Sequence, residues 1–199
     1  MRTLGLLILC TLLISGCDIF TTRTPENPLN AGGIFTPPTS ASLVIENLLN
    51  AIKEKNTENY ILCLADTTRN ARQSFQFYPS SDVSARFFTL FSQWSLTNER
   101  QYILSLFSKL PNDEIPLLSL TKNRFDVITP DSAIFVSDYE LTANHSITSA
   151  PTKVKGILRL TLIPDRTGLW SISRWTDGNV ETGSELQSTW SELKAQFSN

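Results

Sequence analysis

The chain has few of the residues that carry metal or nucleophilic chemistry. Its 199 residues include one histidine and three cysteines. One histidine cannot form a pair of metal ligands, and neither an HExxH spacing nor a GxSxG elbow occurs. That histidine, His145, lies between Asn144 and Ser146, and these polar neighbours predict a solvated loop. We therefore expect no metal site and no cofactor.

Long apolar runs are also missing. The run at residues 4–14 follows Arg2 and is too short to cross a bilayer, although it suits the apolar part of a secretory signal. Ser15 and Gly16 then precede Cys17, the order typical of a bacterial lipoprotein signal. We predict a signal peptide over residues 1–16, with acyl chains on Cys17 that anchor the protein in the bacterial cell envelope. An ordinary secretory signal cut elsewhere is the alternative, and the inner or outer membrane stays open.

The cysteines leave little room for disulfide or thiol chemistry. Processing would remove Cys10, and lipidation would consume Cys17, so Cys63 would be the remaining thiol. An intramolecular disulfide and a cysteine-based metal cluster are then excluded. Cys63 lies in an apolar helical pattern without a basic neighbour, which predicts a buried core thiol rather than a nucleophile.

The chain also lacks a large excess of positive or negative charge. The formal net charge is −2, and the basic residues form no stripe or polybasic patch. This excludes an electrostatic basis for nucleic-acid binding. Apolar residues make up 41% of the chain and aromatic residues 10%, as in globular proteins that bury a core.

The pattern along the chain predicts a tether followed by one domain. Residues 17–39 hold most of the chain's early prolines and glycines and predict an acylated, flexible N-terminus, in which Ile34 and Phe35 could dock on the domain. Helical periodicity follows over residues 40–110, interrupted by a short strand at 75–78. The expected helix starts are Thr39 or Ser40, Asn56, Asp82, and Thr97 or Asn98.

The second half of the domain changes to a period of two. Strands are predicted at 116–128, 132–144, 153–163 and 169–175, with a turn at Asp177 to Asn179. Polar residues on one face of each strand indicate an antiparallel sheet covered on one side. A final amphipathic helix at 188–197 is expected to point Trp190, Leu193 and Phe197 inward.

Three segments resemble the nuclear transport factor 2-like superfamily, which includes ketosteroid isomerases and polyketide cyclases. They are PTSASLVIENLLNAIKEKN (38–56), TENYILCLA (57–65) and WSISRWTD (170–177). The combination is similar to uncharacterised bacterial lipoproteins with this domain. The resemblance spans residues 40–199 and implies an α+β fold of helices packed on a curved antiparallel sheet, a cone-like α+β barrel.

In that fold the helices close one face of the sheet over a cavity. The aromatic residues that could line it are Phe75, Phe77, Phe87, Phe91, Phe135, Tyr139, Trp170 and Trp175. The same residues could instead fill the cone and leave no room for a ligand.

Enzymes of the superfamily place an acidic residue or histidine inside the cone. The weak catalytic candidates here are Asp126 and Asp138, with Tyr139 as a hydrogen-bond donor. Asp126 is the carboxylate most expected to point inward, whereas Asp138 and Glu140 share a strand face that fits solvent better.

The leading hypothesis is a membrane-anchored, non-enzymatic module that binds a protein partner or a small apolar ligand. The alternative is an isomerase, dehydratase or cyclase that uses an inward carboxylate. The resemblance also implies that homodimerisation through the sheet could replace a ligand-binding role.

Overall fold

The structure is a computed structural model that describes residues 33–180 and 187–198. The predicted signal peptide, Cys17 and most of the predicted tether lie outside the described residues. Within the described ranges, no helix combines the length and apolar character needed to cross a bilayer.

Six α-helices and five strands form the described unit. The helices are α1 Ala41–Lys53, α2 Thr57–Leu62, α3 Ser81–Arg86, α4 Phe88–Phe91, α5 Leu96–Ser108 and α6 Trp190–Gln196. The strands are β1 Gln76–Tyr78, β2 Leu117–Ile128, β3 Ala133–Thr142, β4 Lys153–Pro164 and β5 Trp170–Gly178. These bounds confirm the α+β class and the predicted order of elements, except that the single helix expected from Asp82 is divided into α3 and α4.

Side-chain caps set several helix starts. The Ser40 hydroxyl accepts a hydrogen bond from the Leu43 amide at 3.4 Å, and Asn56 accepts one from the Asn59 amide at 3.0 Å. Both caps were predicted, because such side chains satisfy amides that have no partner inside the helix. Helix α5 begins two residues earlier than the sequence pattern suggested, since Ser95 and Asn98 form a capping box.

The sheet fits the expected cone-like fold but is not purely antiparallel. Its order is β1-β5-β4-β3-β2, and β1 runs parallel to β5 while the other pairs are antiparallel. The sheet is therefore mixed, and across the described residues it stays open. The four later strands follow one another through short connections, which favour antiparallel pairing, whereas β1 is separated from β5 by most of the domain and can pair in parallel.

The core lies between the helices and one face of this sheet. In β3, Phe135, Tyr139 and Leu141 are buried on that face, as their alternation predicted. Across from them, α1 contributes Val44 and Leu48 at zero exposure. Most residues of β2 from Thr121 to Ile128 are exposed.

The segment before α1 also docks on the domain. The Thr36 amide donates to the Asn47 side chain at 3.0 Å, and Asn47 donates back to the Thr36 carbonyl at 2.6 Å. The Trp170 amide donates to the Pro38 carbonyl at 2.7 Å. The folded unit therefore starts before residue 40, where the sequence pattern placed its boundary.

Candidate functional site

Helix α6 is the element that determines what the inside of the cone contains. It packs against β4 and α5, and its residues Trp190, Ser191 and Lys194 all have zero exposure. The Ser191 hydroxyl and the Thr189 hydroxyl contact Ser80, which joins the start of α6 to the start of α3. The C-terminal helix thus places polar and charged side chains in the protein interior.

A buried ion pair lies at the centre of this interior. Glu99 and Lys194 are both fully buried, and the Lys194 ammonium donates to Glu99 Oε1 at 2.5 Å. The Tyr60 hydroxyl donates to the same oxygen at 2.6 Å, and Trp94 Nε1 donates to Oε2 at 2.7 Å. Both carboxylate oxygens therefore have donors, as a buried charge requires.

Four aromatic rings surround the Lys194 ammonium. The ring centroids of Phe77, Trp175, Tyr102 and Trp94 lie 3.8, 4.5, 5.4 and 5.6 Å from Nζ. Burial lowers the pKa of Lys194, an effect that the neighbouring Glu99 carboxylate opposes. We call Tyr60, Phe77, Trp94, Glu99, Tyr102, Trp175 and Lys194 the lysine cluster.

A second buried carboxylate lies near the end of β5. Asp177 is 2% exposed, and its Oδ1 accepts a hydrogen bond from the Tyr139 hydroxyl at 2.7 Å. Its Oδ2 accepts from the Ser191 amide at 2.7 Å and from the Ser191 hydroxyl at 2.5 Å. The Trp190 amide in turn donates to the Tyr139 hydroxyl at 2.7 Å. We call Tyr139, Asp177, Trp190 and Ser191 the Asp177 network.

Burial and hydrogen bonding act in opposite directions on Asp177. Loss of solvation raises the pKa of its carboxyl, while the hydrogen bonds from Ser191 and Tyr139 lower it, and the net direction is upward. A buried carboxyl with a raised pKa beside a tyrosine hydroxyl has the chemistry of a general acid or base.

Gly156 makes room for the Asp177 network. It pairs with Tyr139 across β3 and β4. A Cβ at this position would lie 2.6 Å from the Tyr139 hydroxyl oxygen and 2.5 Å from the Gly178 carbonyl oxygen. Glycine is therefore required for the close approach of Tyr139 to Asp177.

Comparison with known proteins gives a fold and no sequence family. No family model and no curated protein matches the chain. Among solved structures, a candidate dehydratase of the NTF2-like family from Streptomyces avermitilis is 9% identical, with a TM-score of 0.52 over 71% of this chain and 94% of that one. A candidate aromatic ring hydroxylase from Novosphingobium aromaticivorans is 12% identical, with a TM-score of 0.52 over 75% and 91%.

This chain has the NTF2-like fold. A candidate scytalone dehydratase from Novosphingobium aromaticivorans supports this, with 6% identity and a TM-score of 0.51 over 74% of this chain and 89% of that one. At such identities the likeness concerns the backbone alone. The chemistry has to be argued from the side chains inside this NTF2-like cone.

The predicted inward carboxylate was assigned to the wrong residue. Asp126 lies on the exposed part of β2, where Arg124 and Arg159 contact it at 2.8 and 2.9 Å. The pairing register of β2 shifts between Phe125 and Val127, so alternation along this strand does not reveal which face Asp126 occupies. Asp177, expected in a turn, is the acidic residue of β5 that points into the NTF2-like cone.

Asp138 and Glu140 lie on the outer face of the sheet, as their spacing favoured. Lys122 contacts Asp138 at 2.6 Å, and Lys153 and Lys155 each contact Glu140 at 2.7 Å. The residue between the two acids, Tyr139, faces the interior because neighbouring residues of a strand alternate. Of the three weak catalytic candidates, the structure brings only Tyr139 into the cone.

The predicted aromatic lining is divided between the interior and the surface. Phe77 and Trp175 are buried members of the lysine cluster, and Phe91 is buried beside it, where Phe77 contacts both others. Phe75 and Phe135 are also buried, and Phe87 packs partly buried at the edge of the core. Trp170 lines a surface groove of about 150 Å³ with Phe35 and Leu169, so it does not line the interior.

The prediction that His145 lies in a solvated loop is wrong. It is buried, 8% exposed, with its ring 4.8 Å from that of Phe197 and Nε2 3.1 Å from the Pro151 carbonyl oxygen. The loop folds back on the end of α6, a long-range contact that its polar neighbours did not indicate.

Cys63 is buried as predicted, and burial raises its pKa to about 12. No group of three metal-ligating side chains occurs within the described ranges.

Glu99 and Lys194 were missed, although helical spacing contains a signal for both. Glu99 precedes the buried residues Tyr102 and Ile103 by three and four positions, and Lys194 follows Trp190 by four. Such spacing places side chains on one helix face. Two opposite charges on inward faces of separate helices can therefore indicate a buried ion pair.

Proposed function

We propose that this chain is a lipid-anchored envelope protein whose folded unit works by surface recognition, without chemistry in the cone. The observation that carries the proposal is the occupation of the interior by α6. The Lys194 ammonium donates a hydrogen bond to the Glu99 carboxylate. The Trp190 amide donates one to the Tyr139 hydroxyl, and the Ser191 amide donates one to the Asp177 carboxylate. A substrate would have to displace all of these contacts at once.

The surface that best fits a partner is a groove between β1 and α4. It has a volume of about 330 Å³ and is lined by Gln76, Phe77, Tyr78, Pro79, Ser84, Phe88, Phe91, Ser92 and Trp94. Phe88 is 70% exposed and Tyr78 43% exposed. Aromatic side chains are enriched in protein interfaces. Strand β1 is also the end strand of the sheet, so one of its edges pairs with no other described strand and could pair with a strand of a partner. We therefore favour a protein partner over a small apolar ligand.

The anchor belongs to the same proposal. Acyl chains on Cys17 would hold the protein at a membrane, and the tether would let the groove reach a partner in the envelope. Support for this part comes from the order of residues before Cys17.

Photo-crosslinking tests the groove directly. A photoreactive residue replaces Phe88 in the full chain, and the same residue replaces Leu104, which is 51% exposed on α5, as the matched control. We expect one defined adduct with another protein from position 88 and none from position 104. An adduct with a second copy would support homodimerisation instead. No adduct at position 88, or the same adducts at both positions, would contradict recognition through this groove.

A second function is favoured by one observation, the pairing of Asp177 with Tyr139 inside the cone. An isomerase, dehydratase or cyclase could use Asp177 as a proton carrier and Tyr139 as a donor to a developing oxyanion. Because both Asp177 oxygens are engaged, α6 would have to move first. Asp177→Asn separates the functions: it should abolish turnover in an enzyme and leave crosslinking from position 88 unchanged in a recognition module.

A further inference from the structure

We propose that the interior of the cone is a binding site for an alkylammonium group, and that α6 closes it by filling it with Lys194. The inference concerns the lysine cluster and goes beyond the surface role proposed above. The class of ligand is a primary amine on a short alkyl chain.

The first argument is the geometry around the ammonium. Aromatic faces attract cations that lie within about 6 Å of the ring centroid, more strongly where water is absent. Lys194 Nζ meets that distance for four rings, from 3.8 Å for Phe77 to 5.6 Å for Trp94.

The second argument is that the carboxylate and the four rings belong to segments other than α6. Glu99 lies in α5, and its two other donors are Tyr60 of α2 and Trp94, which precedes α5. The rings come from β1, β5 and α5 as well as Trp94. If α6 moved away, the carboxylate would keep two hydrogen bonds, while Tyr102 and Trp175 would lose their contacts with Trp190.

The third argument concerns the chemistry of the occupant. Among the described residues, the hydrogen bond from Lys194 Nζ goes to Glu99, and Nζ also lies over the rings of Phe77 and Trp175. At 3.8 Å from the Phe77 centroid the nitrogen is already in contact with that ring, so a methyl group on this side would have no room. This arrangement is suited to a primary amine.

The contacts of α6 explain how a ligand would compete. Trp190 and Ser191 bind Tyr139 and Asp177, and Arg86 pairs with Glu192 at the surface. A free amine binds the wild-type chain only in the fraction of molecules with α6 displaced, so its apparent affinity is reduced by that fraction. Shortening Lys194 removes this competition.

Chemical complementation of the full chain tests the site. Lys194→Ala leaves the space of n-propylammonium, and Lys194→Leu leaves approximately that of methylammonium. We expect each variant to be stabilised most by its matching amine, with Tm rising by about 3 to 6 °C for each tenfold increase above the Kd. Neither amine should raise the Tm of the wild type, because its site is filled.

Three controls isolate the charge and the site. The neutral analogue 1-propanol should not stabilise Lys194→Ala, and Glu99→Gln introduced into Lys194→Ala should remove the response to n-propylammonium. Lys153→Ala, which shortens an exposed lysine that contacts Glu140, should not respond to either amine.

The proposal fails if folded Lys194→Ala or Lys194→Leu shows no preference for its matching amine, or if 1-propanol stabilises as well. If Lys194→Ala is unfolded in buffer, recovery of its far-ultraviolet circular dichroism on adding n-propylammonium supports the site. If Lys194→Ala does not recover, the response of Lys194→Leu to methylammonium decides whether the site exists. No partner protein is present, so this outcome is independent of crosslinking from position 88.

Discussion

At the scale of single residues, Glu99 and Lys194 lie in the interior at a cost that their mutual contact helps to offset. Each is fully buried, and removing a charge of this kind from water costs several kcal/mol. Tyr60 and Trp94 donate hydrogen bonds that complete the solvation of the carboxylate. The pair therefore specifies how α6 is placed more than it increases overall stability.

Breaking one side of this pair should be far more harmful than replacing both. We expect Glu99→Gln to lower the free energy of unfolding by about 3 to 5 kcal/mol, because it leaves the Lys194 ammonium buried without a counter-ion. The double variant with Lys194→Met should recover most of that loss. Urea denaturation measures both effects.

The exposed pair Glu58–Arg100 provides the comparison. Glu58→Gln should change the free energy of unfolding by less than about 1 kcal/mol, since solvent screens this pair. A loss of the same small size for Glu99→Gln would show that the Lys194 charge is solvated, contrary to the buried ion pair.

Gly156 gives a steric prediction. Gly156→Ala should lower the free energy of unfolding by about 1 to 3 kcal/mol, because the new Cβ would collide with Tyr139 and with the Gly178 carbonyl. Gly178→Ala is the matched control, since its Cβ would meet the Ile157 carbonyl oxygen at an ordinary 3.7 Å. Equal losses in urea denaturation would argue against a special role for Gly156 in seating Tyr139.

The raised pKa of Asp177 makes stability depend on pH in a defined direction. The folded state binds the proton of this carboxyl more tightly than the unfolded state, whose pKa is near 3.8. Its contribution is full below that value and is lost as pH rises through the folded pKa. We expect the stability of the wild type to fall relative to Asp177→Asn as pH rises from about 3.8, measured by urea denaturation across pH.

Asp126 should show the opposite trend. Although desolvation raises it, hydrogen bonds from Arg159 and Arg124 lower the pKa of Asp126 below its usual 3.8. Its contribution is present above 3.8 and is lost as pH falls through the folded value. If Asp177→Asn and Asp126→Asn changed the pH dependence of the free energy of unfolding in the same direction, the distinction between a buried and a surface carboxylate would be contradicted.

At the scale of elements, α6 depends on tertiary contacts. A helix of seven residues is too short to be stable in water by itself. Trp190 holds it through the Tyr102 hydroxyl at 2.7 Å, and its ring lies 4.6 Å from that of Trp175. Side chains of α6 therefore stabilise both the helix and the closed cone.

Two tryptophans test this dependence. Trp190→Ala should lower the free energy of unfolding by about 3 to 5 kcal/mol, as large aromatic truncations in cores do. Trp170→Ala should have a smaller effect because Trp170 is only partly buried beside a surface groove. Similar losses in urea denaturation would show that α6 is not the element that closes the core.

At the scale of the whole molecule, the anchor is independent of the fold and needs its own test. Cys17→Ser should abolish acyl labelling and release the protein from the membrane fraction, because the thiol is the lipid acceptor in our proposal. Cys63→Ala is the control, since its buried thiol should not be acylated and labelling should persist. Labelling of Cys17→Ser would contradict the lipoprotein signal.

Local sequence patterns were enough to predict most elements. The caps at Ser40 and Asn56, the period-two strands and the inward side of α6 depend on interactions between residues close in the chain. For this reason the patterns along the chain predict the α+β class, whereas the cone-like fold was implied by the resemblance to the nuclear transport factor 2-like superfamily. The face of Asp138 and Glu140 and the burial of Cys63 followed from the same alternation and periodicity.

Tertiary structure alone decided the parallel pairing of β1 with β5 and the content of the interior. Asp126 lies within a predicted strand and Asp177 just after one, and only the register shift in β2 and the extension of β5 to Gly178 determine which one points inward. Glu99 and Lys194 lie 95 residues apart. Each charge can be buried only because the other lies beside it. The periodicity of a single helix does not predict a contact between residues of two different helices.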